Sequence, residues 1–136
     1  GTVPLVGVFN GCSYTDPTSG EQVFKNYYPA STAASDIIAN IIDSPDVVYE
    51  IQSDEAFPIA DLLGNFDVIK TNAGSTKTGI SGDEVDTSTG ATTATLPLKV
   101  IDISQDPNNQ DVGSANTNVY CVIQNSIFGV KSAGLA

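Results

Sequence analysis

The chain has 136 residues, of which sixteen are acidic and five are lysine; with neither arginine nor histidine, its formal net charge is −11. That balance opposes neutralising the phosphates of nucleic acid and docking on anionic membranes, and it favours solubility. No apolar run reaches the roughly 18 residues of a membrane span, and without histidine the commonest general base and metal ligand is missing. The length fits one domain over residues 1–136, able to bury about two-thirds of its unfolded surface. It starts at Gly1 rather than Met and shows no signal-peptide pattern. We expect a processed end, or the first ordered residue of a longer chain.

Residues 4–14, PLVGVFNGCSY, read as a strand in which Gly7 and Gly11 mark a bulge or a tight bend. The stretch 15–20 is turn chemistry: Pro17 fixes φ, Asp16 suits an Asx turn and Gly20 takes positive φ. Residues 22–28, QVFKNYY, make a second strand stopped by Pro29, in a hairpin with the first. Residues 30–36 are a small-residue connection. Two apolar runs follow, 37–42 and 47–51, around Asp43-Ser44-Pro45-Asp46. The second is β-branched and aromatic, a strand. The first has isoleucines four apart, which suits a helix capped by Ser31, Thr32 or Ser35, but four isoleucines in six residues favour a strand buried on both faces. We take the strand and pair the two runs as a central hairpin. That puts Val48 in the core, where Val48→Asp would unfold the domain.

Further on, Ser53-Asp54-Glu55 offers caps for one or two helical turns over 59–63, with Gly64-Asn65 as a stop, and 67–70 is a short strand. Residues 71–95 hold only Ile80 and Val85 as large apolar residues and read as long surface loops carrying short strands. In the strand 96–104, Leu98, Val100 and Asp102 share one face, and Pro97 places its start at an edge or a bulge. Asp106-Pro107-Asn108-Asn109 turns, a polar loop runs to Asn118, and 119–123 is the last strong strand, extended after a break by 127–130; the tail 131–136 is loose. The sum is about seven short strands: an all-β protein, a compact antiparallel β-barrel or sandwich with long Gly/Ser/Thr-rich loops and at most one short helix. Cys12 and Cys121 lie in strand-like stretches, as buried thiols or, if those strands are neighbours, as a disulfide.

Little in the chain suggests catalysis. It has no Gly-x-Ser-x-Gly elbow and no glycine cluster leading into a lysine-bearing helix. Most aspartates sit in turn contexts, which explain them without an acid–base role. Asp106, Asn108, Gln110 and Asp111 present oxygen donors in a calcium-loop manner, yet the glycine and closing glutamate are missing, and a solvated turn is expected. We therefore expect no enzyme, no cofactor and no metal. Phe24, Tyr27 and Tyr28 are the candidate protein-interface residues, because tyrosine is enriched in interface cores. The ordinary alternative is core on one face and half-buried tyrosines on the other. A carbohydrate-binding β-module would rely on Tyr27 and Tyr28.

The strings GVFNGCSYTDP at 7–17, FKNYYP at 24–29 and DVVYEIQ at 46–52, with 92–104, the turn at 106–109 and 116–123, together resemble a family of tailed-bacteriophage head proteins. These are structural proteins of the capsid decoration or cement type, encoded near the major capsid protein. The resemblance covers most of the chain; 71–87 matches only in its Gly/Ser/Thr character. Two features depart from the family: Gln124-Asn125-Ser126-Ile127-Phe128 replaces a charged, often histidine-containing end, and the further N-terminal segment that family members usually carry before the strand at 4–14 is not among residues 1–136. The resemblance implies a virion protein on the outer capsid surface that stabilises the expanded shell. Its partners would be the major capsid protein and copies of itself, as a trimer or other oligomer, with no nucleic acid and no membrane. A neck, tail or shell-forming role in the same particle is the alternative nearest to it.

Overall fold

The structure, a computed structural model, describes residues 4–109, 111–129 and 134. Among the described residues there are eight strands: β1 (Val8–Thr15), β2 (Gln22–Lys25), β3 (Ile38–Ile42), β4 (Tyr49–Gln52), β5 (Asn65–Lys70), β6 (Asp83–Ala91), β7 (Leu98–Ile103) and β8 (Asn118–Ile123). They form two antiparallel sheets, ordered β2-β1-β3 and β4-β8-β7-β5-β6. The all-β class is as the sequence indicates, and neither sheet closes into a barrel among the described residues. Helix is limited to single 3-10 turns at Ile59–Asp61 and Pro107–Asn109. No helix among the described residues is long and apolar enough to cross a membrane.

The core belongs to the five-stranded sheet. Val119, Cys121 and Ile123 alternate inward along β8, opposite Ile51, Tyr49 and, on β7, Leu98. Phe57 and Phe66 pack ring to ring within this cluster at 5.2 Å between centroids, a geometry that favours tilted aromatic pairs. The sheet curls until its two edge strands approach each other. There Ser53 bridges Val85, the Asp54 amide donates to the Val85 carbonyl at 3.1 Å, and the Asp54 carboxylate accepts from the Thr87 amide (3.0 Å) and hydroxyl (2.8 Å).

The first hairpin forms as expected, with Ser13 opposite Phe24 and Thr15 opposite Gln22. Its turn uses the predicted devices: the Thr18 amide donates to Asp16 Oδ1 at 2.8 Å, and Gly20 has φ 74°. Gly11, at φ 98°, sits in a β-bulge between Phe9 and Cys12.

Four expectations are corrected. The central hairpin does not form: β3 pairs with β1, whereas β4 pairs with β8 in the other sheet. The Ser44–Asp46 turn carries the chain between sheets, because Tyr49 and Ile51 alternate and need the inner face of the larger sheet. Nor is the isoleucine run buried; every residue of β3 is exposed. Val48 precedes β4 and is 51% exposed, so Val48→Asp has no core to disrupt. Residues 71–95 contain the longest strand, β6, rather than short strands within loops.

Smaller adjustments follow from local hydrogen bonding. The helical turn at 59–63 shrinks to a 3-10 turn because its expected caps are engaged elsewhere: the Ser53 hydroxyl donates to the Thr117 and Glu55 carbonyls, and the Asp54 carboxylate binds Thr87 across the sheet seam. In β7 a bulge between Val100 and Asp102 shifts the alternation, so that Ile103 rather than Asp102 joins Leu98 and Val100 inside. Pro97 lies just before an interior strand, where its carbonyl accepts from the Gln124 and Asn125 amides. Cys12 and Cys121 are free buried thiols in different sheets. Val130 and most of the tail 131–136 lie outside the described residues.

Candidate functional site

The three-stranded sheet has one covered face and one open face. On the covered face, Cys12 and Tyr14 are buried beneath the connection that follows β2. Tyr28 packs edge-on against Tyr14 (5.4 Å between centroids) and donates its hydroxyl to the Thr32 carbonyl at 2.6 Å. The Cys12 thiol donates to the Tyr27 carbonyl at 3.6 Å, and Lys25 Nζ lies 5.5 Å from the Tyr27 ring centre.

On the other face Phe24, Ser13 and Ile38 form a row across the three strands, with Ser13 buried between two exposed apolar side chains. Val8 lies opposite Ile42. The bulge at Gly11 adds one residue to β1, so Val8 and Ser13, five apart in sequence, fall on the same face. Phe24 is 76% exposed and Ile38 63%, and Val8 and Ile42 are each more than a third exposed. This is an apolar surface on an acidic protein; Ile41 and Phe9, opposite each other on the face shared with Cys12, are also more than a third exposed. Among the described residues no strand pairs with the outer edge of β3.

The predicted interface residues are therefore separated. Phe24 lies on the open face, whereas Tyr27 and Tyr28 serve the covered one and make no flat aromatic platform. Sequence reasoning missed the isoleucines of β3, which were read as core. The usable signal was their lack of alternation: a two-sided apolar strand must be either interior or waiting for a partner.

A cleft of about 870 Å³ runs between residues 5–9 and the inner face of the five-stranded sheet, walled by Leu5, Phe9, Ile51, Val68 and Leu98. Several of its polar groups are already engaged. The Tyr49 hydroxyl donates to the Ile42 carbonyl at 3.1 Å, and its pKa is raised by burial and then by Asp43 and Cys121. The buried Glu84 carboxylate accepts from the Thr71 hydroxyl and from Asn72 Nδ2. Burial pushes the Cys121 thiol up to about 12, so it stays protonated and a poor nucleophile at neutral pH. Among the described residues no three His, Cys, Asp or Glu side chains gather as a metal site. Asp106 and Asp111 cap their own turns through the Asn108 and Gly113 amides, and Gln110 lies outside the described residues.

Comparison with family models, with curated proteins and with solved structures found no match to this chain.

Proposed function

We propose that the protein is a non-enzymatic virion component: a decoration or cement protein on the outer surface of a tailed-phage capsid, where it stabilises the expanded shell and binds the major capsid protein. The observation that carries this reading is the open apolar face of the three-stranded sheet, ending in an edge strand whose outer side meets no other strand among the described residues. Contiguous exposed apolar surface on a protein of this size marks an interaction site. The sequence resemblance to phage head proteins supplies the setting. The work would be done by binding free energy. Contacts of roughly 1,000 Å² or more give useful affinity, and attachment to several shell subunits at once multiplies it through effective concentration. The charge of −11 would speed docking on basic shell patches and make it salt-sensitive.

A carbohydrate-binding module is less well supported, because Tyr27 and Tyr28 face the covered side of the sheet. The test is co-sedimentation of the purified protein with expanded and unexpanded shells of the source particle. Binding to expanded shells alone is expected; equal binding to both, or to neither, rejects the cement role. Copy number in a cryo-EM map separates hundreds of head-bound copies from a ring at the neck or tail.

A further inference from the structure

On the reading that the open sheet is a docking surface, we propose that the outer edge of β3 receives an extended segment of another protein. That segment is uncharged and apolar over about five residues, the length of β3, and basic at both ends; it adds as a fourth strand by main-chain pairing.

Three observations select this occupant. First, β3 reads Ile38-Ala39-Asn40-Ile41-Ile42, uncharged throughout and exposed at every residue, so an incoming strand can bury side chains on both faces. Natural edges are normally protected by inward charges, bulges or proline, and this strand has none along its length. Second, its ends are acidic. Asp36 precedes it, its carboxylate held by the Thr15 amide and hydroxyl on β1, and Asp43 and Asp46 follow it, all exposed. The lysine of this sheet, Lys25, lies on β2, the strand farthest from that edge. Third, the same charges oppose a second copy of this chain. Antiparallel pairing about Asn40 would set the Asp36 end of one copy beside the Asp43 end of the other, and parallel pairing would set like ends together. Each arrangement juxtaposes carboxylates between two chains of charge −11. A partner with lysine or arginine at both ends turns that repulsion into attraction and fixes the register.

The probe is a synthetic peptide with an alternating valine–threonine core and two lysines at each end, titrated into the full chain and followed by backbone amide NMR and hydrogen exchange. Saturable binding is expected, with exchange slowed most at those amides of Ile38–Ile42 that face away from β1. A peptide with the same core and glutamate ends should bind about tenfold more weakly or worse, and a core with methylated amide nitrogens should not bind. The double variant Asp43→Lys/Asp46→Lys, which reverses the charge at one end and leaves Asp36 at the other, should abolish the preference for the lysine peptide over the glutamate peptide. No saturable binding at millimolar peptide, equal binding of both peptides, or protection confined to the five-stranded sheet overturns the proposal. So does a concentration-dependent dimer abolished by Ile38→Asp, which would make a second copy the occupant. If the wild-type chain binds expanded shells while the peptide tests fail, only this inference falls; if shell binding fails, the decoration reading falls with it.

Discussion

Asn109 acts as a short piece of β-strand. Its Nδ2 donates to the carbonyls of Ser104 (3.0 Å) and Asn118 (2.8 Å), and its Oδ1 accepts from the Asn118 amide at 2.7 Å. The side chain thus closes the open end of the β7–β8 pair. Asn109→Asp keeps the acceptor but turns the donor into an anion facing two carbonyl oxygens. The expected loss is about 1–3 kcal/mol, read as a lower urea midpoint at unchanged m-value; an unmoved midpoint would show that the clip is dispensable. Asp36 offers a pH test of a different contact. It accepts from the Thr15 hydroxyl (2.6 Å) and amide (3.0 Å), and these bonds, the hydroxyl's first, hold its pKa below the ordinary 3.8. A carboxylate held low in the folded state adds stability above its unfolded value, and that stability is lost as pH falls through the folded value. Wild type should therefore melt above Asp36→Asn near neutrality, with the gap closing below about pH 3.8. A gap that stays constant into acid would mean that the ionised form has no advantage in the fold.

At the level of the strand, the bulge in β1 decides which side chains reach the open face. Gly11 holds φ 98°, and a Cβ built there would lie 2.9 Å from the Lys25 carbonyl oxygen. Gly20 also has positive φ, 74°, but a Cβ there meets nothing within 4 Å. Gly11→Ala should thus combine backbone strain with a backbone clash, costing about 1–3 kcal/mol. Gly20→Ala should cost about 1 kcal/mol, the conformational part alone. Thermal melts of the two variants compare these costs directly; equal shifts would place the bulge elsewhere. The bulge also shows what could be read from the chain. Local turn chemistry was legible, so Gly11, Gly20, Asp16 and Asp106 sit as their residue types demand. Strand partnership was not. β3 and β4 adjoin in sequence across a good turn, yet each finds its partner at long range, where periodicity carries no information. β6 hid for another reason. With only Val85 and Glu84 buried, it reads as a loop, and its strand geometry comes from the ladder to β5 and from Asp54 bonding Thr87. In β7 a bulge moved Ile103 inward, a shift no fixed two-residue alternation can foresee.

Across the whole molecule, the apolar cluster of buried residues draws on the five-stranded sheet and Phe57 alone. The three-stranded sheet instead buries Cys12 and Tyr14 under its own connection and leaves Phe24, Ile38, Val8 and Ile42 exposed on its other face. Stability should therefore be uneven, with the docking sheet opening at lower free energy than the body that carries it. Such unevenness suits a surface that gains order from a partner, because binding then adds the packing this sheet lacks. The two cysteines report on it independently, one in each sheet and both buried. Thiol labelling in increasing urea should modify Cys12 first, through local opening well below the global transition. Cys121 lies inside the main cluster with its pKa at about 12, and should react only as the whole domain unfolds. Single Cys12→Ser and Cys121→Ser variants assign the two phases. If both thiols react together at every urea concentration, the sheets form one cooperative unit, and the open face owes its exposure to geometry rather than to marginal local stability.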